Sequence, residues 1–424
     1  MLEKILKPVN ILNRNRADSL AIAIIGGGAA GTFAAIEAAR AGGQVTLIEK
    51  GSNLLSKVKV SGGGRCNVTH QFETIDKFLL NYPRGQHSLK RALYQFGPLD
   101  TVSWFEKHGV PLKTESDGRM FPEANTSQAV IDCLLNLLKD YRVDVKLSTP
   151  VMHLQVEANG FNLVFKDMSS LIFDRVIIAA GGHSQIKKFD WLQATGHKVI
   201  EPVPSLFSFN IDSAELHEMS GLSLPACAMR IQGQKKWQIG PLVVTHWGLS
   251  GPAILKLSAW YARELHECNY KFVLQVNWLV KKSESEIKAD LKENASQQKN
   301  ISNQNPFSLP VRLWRFLLKR AELETEKKYS ALTEKDKVKL IDILLHDRYY
   351  VSGKTTFKEE FVTCGGINTK EVDFQTMQSR LIPGLFFAGE ILDIDGLTGG
   401  FNFQAAWSTG FIAGSNAASK ESNT

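Results

Sequence analysis

Cysteine is scarce in this chain of 424 residues: five, at 66, 133, 227, 268 and 364, with no two in a Cys-x-x-Cys spacing. That scarcity argues against a zinc site or a disulfide framework, and it fits the reducing cytoplasm. No run of about 18 apolar residues occurs, so no transmembrane span and no membrane role are expected. The amino terminus, MLEKILKPVNILNRNRADS, lacks the apolar core of a signal peptide and reads as a short extension leading into the first strand. No Gly-x-Ser-x-Gly elbow is present, which argues against a hydrolase of that kind. Repeats of solenoid length are missing too.

What is present is an ordinary globular composition, 43% hydrophobic and 22% charged, at a length that suggests two or three domains. Leu20 to Ile25 is a short continuous apolar run, as a buried parallel strand requires. A glycine-rich turn, a helix-like segment ending at Gly42-Gly43, and a second strand closing on Glu49 follow, so this is a βαβ unit. RVIIAA, at 175–180, is a further buried strand. LFF at 385–387 repeats the theme of a strand running into glycine, and residues 403–418 read as a closing helix.

Between about 200 and 350 the character changes. Short alternating segments over 205–276 predict a β-rich domain, and charged helical segments fill 280–345. The expected architecture is α/β: a split Rossmann-like domain (1–200 and 351–424), a β-rich substrate domain (201–279 and 346–350), and a helical, basic subdomain (280–345). From Arg230 to Arg348 there are 21 Lys and Arg against 13 Asp and Glu, within a chain of net charge +7. The positive surplus therefore sits in the insert. It reads either as a solvated face or as a surface for a polyanion.

Gly26-x-Gly28-x-x-Gly31 stands between strand and helix, and Glu49 ends the next strand, with Lys50 after it. That context makes it a dinucleotide site. Gly26 allows the turn, Gly28 lets a pyrophosphate approach, and Gly31 lets helix pack on strand. The amides at Ala29 and Ala30 belong to the helix start, whose unpaired N–H groups suit phosphate, and Glu49 suits the ribose hydroxyls. No second fingerprint of this type follows a strand. A dedicated NADH or NADPH domain is thus not expected, and such a donor would visit the site transiently.

Three further segments resemble those of the two-dinucleotide-fold flavoproteins: Gly62-Gly63-Gly64-Arg65, Ala179-Ala180-Gly181-Gly182, and Ala388-Gly389-Glu390. The resemblance narrows over VSGGGRCNVTH, GRMFPEANTSQAV, THWGLSGPAILKLS and the long carboxyl-terminal block ending in GLTGGFNFQAAWSTG. These are similar to the YhiN/BaiN-like flavoproteins over nearly the whole chain. The resemblance implies FAD as cofactor. Residues 61–67, with Cys66 and Asn67, would lie along the flavin and pyrophosphate, with Arg65 supplying charge. Glu390 would hold the ribityl or pyrophosphate portion. Gly399, Gly400, Phe401 and Asn402 would open the last helix, offering N–H groups to negative charge on reduced flavin.

For proton delivery the candidates are His246, in THWGLSGP, and Cys66; the alternative for Cys66 is a small side chain packed beside the cofactor. His183 is expected to pack near the cofactor, and Cys364 is assigned no chemistry. The family branch this sequence most resembles implies reduction of a uridine in large-subunit ribosomal RNA to dihydrouridine, with the basic insert contacting phosphates. Other branches imply a reductase or oxidase of a small metabolite such as a steroid-like enone or an amino ketone. A ribosome-associated protein that keeps FAD for structure is the third alternative. No metal site is expected, and the sequence leaves the oligomeric state open.

Overall fold

A computed structural model describes residues 19–294, 299–355 and 362–419. The chain forms two compact units, one of Met1–Ser205 with Lys358–Thr424, the other of Leu206–Phe357.

The first unit is built on a seven-stranded sheet. The centre of its five parallel strands is Ala21–Ile25, flanked by Arg175–Ile178 on one side and Gln44–Ile48 on the other. Leu385–Phe387 and Asp144–Lys146 extend the parallel part outward. Two short antiparallel strands, Gln378–Ser379 and Val372–Asp373, finish one edge. Ile22, Ile24, Leu47 and Ile177 are fully buried, because the helices that follow the first strand and close the chain, together with an antiparallel meander, pack against the central strands. A three-stranded antiparallel meander spanning Val151–Glu157, Gly160–Phe165 and Ser170–Phe173 lies outside this sheet.

Two helices set the geometry of the site: Ala29–Arg40, which follows the first strand, and Phe401–Ala417 near the end. A Cβ at Gly410 would come within 2.6 Å of the Ala30 carbonyl oxygen, and one at Gly414 within 2.4 Å of that of Ala34. Glycines one turn apart thus let the two backbones touch. The pairing of 30 with 410 and 34 with 414 makes the helices parallel. The last helix therefore starts eight residues, or about 12 Å at 1.5 Å per residue, ahead of the level where the first one begins.

The second unit is a seven-stranded sheet whose strands run, in spatial order, Asp347–Val351, Phe272–Asn277, Ser223–Ile231, Gln238–Thr245, Gly248–Ser250, Ser208–Asn210 and Gly353–Thr355. The helices Glu284–Glu293, Val311–Arg320 and Glu334–His346 share one apolar core with those strands, through Leu313, Trp314, Leu317, Leu340 and Leu344. Among the described residues no helix is long and apolar enough to cross a membrane.

Candidate flavin site

Strand, turn and helix at 21–40 form the first part of the site. A Cβ on Gly31 would stand 1.8 Å from the Gly26 carbonyl oxygen, and one on Gly26 would stand 2.3 Å from that of Ala179. Those two positions are closed by the protein's own backbone. At Gly28 nothing lies within 4 Å, so that side of the turn is open to a ligand. Gly28 caps the helix without a side-chain hydrogen bond, and the first-turn amides keep their capacity for an anion. Glu49 is held in place by two backbone donors: Gly27 N–H to Oε2 at 2.7 Å and Gly51 N–H to Oε1 at 2.7 Å. Each carboxylate oxygen keeps a lone pair for a hydroxyl.

The GGG segment breaks a helix. Within Ser56–Gly64, Ser61 is extended, and Gly62, Gly63 and Gly64 all take left-handed φ (57°, 68° and 82°). Such a run costs roughly 1–2 kcal/mol per residue for anything but glycine. At Gly63 and Gly64 no atom lies within 4 Å of where a Cβ would stand, so bare backbone faces open space. Arg65 has partners within the protein. Its Nη1 donates to Glu115 Oε1 at 2.6 Å, and its guanidinium lies 4.0 Å from the Phe121 ring centroid, so its charge is balanced inside the protein. Cys66 is fully buried, and burial pushes its thiol up to about 12, with a hydrogen bond to Ser61 as the lesser, opposing influence. It is a protonated thiol at neutral pH, unlike the thiolate that redox chemistry needs.

Residues 67–70 are fastened to the start of the last helix. With its amide oriented to satisfy both ends, Asn67 accepts from Gly400 N–H at 3.1 Å and donates to the Thr69 and Met120 carbonyls. His70 Nδ1 lies 2.9 Å from the Gly399 carbonyl, so Nδ1 carries the proton, and the ring stacks on Phe401 at 4.8 Å. Asn402 closes the preceding loop through two 2.8 Å bonds to Gly396. Gly400 caps the helix without a side chain, leaving first-turn amides for a ligand. One ion pair braces this loop from outside: Arg84 donates to the fully buried Asp395, which also accepts from Ser205 Oγ at 2.8 Å. Neither Arg84 nor Asp395 stands out in the sequence, and the two lie 311 positions apart.

The third and fourth glycine segments meet. A Cβ on Gly182 would collide with Thr363 Oγ1 at 2.3 Å and approach Glu390 Oε1 at 2.8 Å. Glu390 accepts from Thr363 N–H at 2.9 Å and pairs with Lys57 at 2.7 Å. Thr363 Oγ1 is buried with no protein partner, a polar atom awaiting one. Gly181 is open, Ala180 is part-buried, and Gly389 N–H bonds to Thr409 of the last helix. Exposed Lys50 and Lys57 surround His183, whose imidazole is lowered to about 4, by burial first and then by Lys50, Lys57 and Lys188 against the pull of Glu390. An anion would relieve that cationic crowding.

The first unit thus brings together residues 26–31, 49–50, 61–67, 180–182, 389–390 and 399–402. His246 belongs to the second unit. It is exposed on the turn between Gln238–Thr245 and Gly248–Ser250, its ring 4.2 Å from that of Trp247. The donor set of the first unit suits FAD. Two uncapped helix starts, about 12 Å apart along the paired helices, offer anion-binding amides at a spacing that an elongated dinucleotide can span.

These features define a flavin-binding Rossmann-type protein of the FAD-dependent oxidoreductase class. The chain belongs to the HI0933-like family, whose Rossmann-domain description matches residues 20–416. It is 30% identical to a ribosomal RNA dihydrouridine synthase of Escherichia coli K12, over 91% of this chain and 95% of that protein. It is 28% identical to a 3-dehydro-bile acid delta(4,6)-reductase of Clostridium scindens, over 94% and 99%. Among solved structures, the 3-ketosteroid-delta4-(5alpha)-dehydrogenase of Rhodococcus jostii RHA1 shares the fold at a TM-score of 0.53 with 14% identity, over 97% of this chain and 99% of that one.

Proposed function

We propose that this protein reduces an activated carbon–carbon double bond, that of a uridine in large-subunit ribosomal RNA, to give dihydrouridine, with NADH or NADPH as the electron donor. The observation that carries this reading is the 30% identity to the E. coli ribosomal RNA dihydrouridine synthase over nine-tenths of both chains. Bound FAD supplies hydride chemistry at the carbon β to a carbonyl, C6 of uracil. The chain's own residues do the rest. Glu49 and the helix start at Gly28 hold the adenosine and pyrophosphate. The amides of Phe401 and Asn402 oppose negative charge. An acid delivers a proton to C5 of the base.

His246 and Cys66 are the candidate acids. The His246 imidazole is the favoured one, because it is exposed and imidazole is the side chain most often used for proton transfer in catalysis. Cys66 is the rival, a thiol kept neutral by burial. The basic insert, Arg230 to Arg348, supplies phosphate contacts that help offset the cost of turning a base out of folded RNA, roughly a few kcal/mol. Mapping dihydrouridine in ribosomal RNA from cells with and without the gene tests the reading. One site should revert to uridine when the gene is deleted, and an unchanged map would sink the RNA substrate.

A second reading has its own observation. The 28% identity to the bile-acid reductase spans 94% of this chain, and an enone offers the same conjugated double bond. Under that reading the deletion map is unchanged, and a small enone oxidises the reduced enzyme.

A further inference from the structure

The unit Leu206–Phe357 carries its cations in two different ways. In the helical part most are already committed. Lys282 pairs with Asp290, Lys288 with Glu284, Lys319 with Glu215, Arg320 with Asp347, Lys327 with Asp336, and Lys339 with Glu322. Arg312 donates to the Glu218 carbonyl. A cation neutralised by an adjacent carboxylate has little left for a phosphate.

The segment 219–262 is the opposite. It contains no Asp or Glu, yet it carries Arg230, Lys235, Lys236 and Lys256 together with Trp237 and Trp260. The hairpin between Ser223–Ile231 and Gln238–Thr245 gathers them. The Arg230 guanidinium lies 4.5 Å from the Trp237 ring centroid and is held there by Gln275 Oε1 at 2.7 Å. Lys236 Nζ stands 4.0 Å over the ring of Trp260, at the end of the helix Pro252–Trp260. Lys256 lies one turn before Trp260 and shares its face. Lys235 and Lys236 are exposed, and the two tryptophans are part-buried. Among the described residues, none of these four cations forms an ion pair with a carboxylate.

We propose that this two-tryptophan face, on a segment without Asp or Glu, grips an unpaired stretch of RNA, with the cations meeting phosphates and the indoles meeting bases. The inference rests on the RNA reading above and says which part of the basic insert does the work. An unpaired polynucleotide presents both chemistries at once, a regular row of anions and a row of flat π faces. An acidic peptide would use the cations and leave the indoles without a role.

The test uses the FAD-loaded full chain and fluorescence anisotropy. The probes are labelled single-stranded oligouridylate and heparin, a polyanion without bases. Lys235→Glu/Lys236→Glu should weaken oligouridylate binding by about tenfold or more and reduce the salt slope by ~0.7 for each phosphate no longer neutralised. Trp237→Leu should lower oligouridylate affinity about five- to a hundredfold while heparin affinity stays at the parent value. The reference variant Lys281→Glu/Arg315→Glu, at exposed positions of the helical part away from this face, should leave both unchanged. Thermal melting followed by circular dichroism reports folding in each. If Trp237→Leu is misfolded, the exposed lysine pair alone decides. The inference is overturned if the lysine pair binds like the parent, or if a folded Trp237→Leu weakens heparin as much as RNA. If the parent binds no oligouridylate at any salt, the RNA reading itself fails and this face fails with it.

Discussion

Gly28 and Gly31 are three positions apart in one motif, yet the structure gives them opposite sensitivities. A side chain at Gly28 meets open space, whereas one at Gly31 meets the Gly26 carbonyl at 1.8 Å. Gly28→Val should therefore fold and lose FAD, because the valine occupies the phosphate's place. Gly31→Ala should lose stability by about 1–3 kcal/mol or more through overpacking. Urea denaturation of the cofactor-stripped proteins, beside the FAD content of the purified ones, separates the two; full occupancy in Gly28→Val would contradict the site. His183 makes a pH prediction. Its folded value of about 4 lies below the ordinary 6.5, so the unfolded chain binds the extra proton between those values. Stability is fully present above pH 6.5 and is lost as pH falls towards 4. His183→Gln should flatten that part of the melting-temperature profile, and an equally steep profile in the variant would assign the acid loss elsewhere. For proton delivery, stopped flow on His246→Ala should show normal flavin reduction by NAD(P)H and slowed reoxidation by substrate. A placed acid typically contributes about 10²–10⁴-fold to such a step. If only Cys66→Ala shows that pattern, the roles exchange.

At the scale of elements, the start of the last helix depends on groups far from it in sequence. Arg84 and Ser205 both hold the buried Asp395, in the loop that leads to Gly399 and Gly400. Burial raises the Asp395 carboxyl, and the Arg84 guanidinium is the main influence that keeps it down. Arg84→Ala leaves a buried carboxylate without its cation and should cost about 3–5 kcal/mol, with FAD occupancy falling as the loop loosens. Adding Asp395→Asn should recover part of the loss. No stability change in Arg84→Ala would mean that the pair is incidental. The strands and glycine turns are legible in the sequence because each glycine there answers one steric demand, and LAIAII and RVIIAA are apolar without interruption. The meander Val151–Phe173 is less legible, since most of its first strand is exposed and its alternation is weak. Arg65 reads from the sequence as a charge for the cofactor, and its ion pair with Glu115 is not legible there. The partner is 50 residues away, and no local pattern announces it.

For the whole molecule, a count of charges locates the positive surplus between 230 and 348 but does not distinguish committed cations from available ones. Ion pairing makes that distinction. It turns a broad basic insert into a helical part whose charge is largely spent internally and a hairpin face whose charge is not. The split of the flavin unit around an insert is legible because the last glycine motifs, 388–390 and 399–402, return after a β-rich and helical stretch and need the first βαβ unit to be useful. The close approach of Gly410 and Gly414 to the first helix supplies the physical reason for that return.

The central claim is that this flavoenzyme reduces a uridine in ribosomal RNA. The most direct measurement incubates the FAD-loaded protein and NADH or NADPH with large-subunit ribosomal RNA from cells lacking the gene, then reads the digested RNA by mass spectrometry. The account predicts that one uridine gains two hydrogens, only when enzyme and donor are both present. It is contradicted if no dihydrouridine forms while the same preparation, with the same donor, reduces a small conjugated enone.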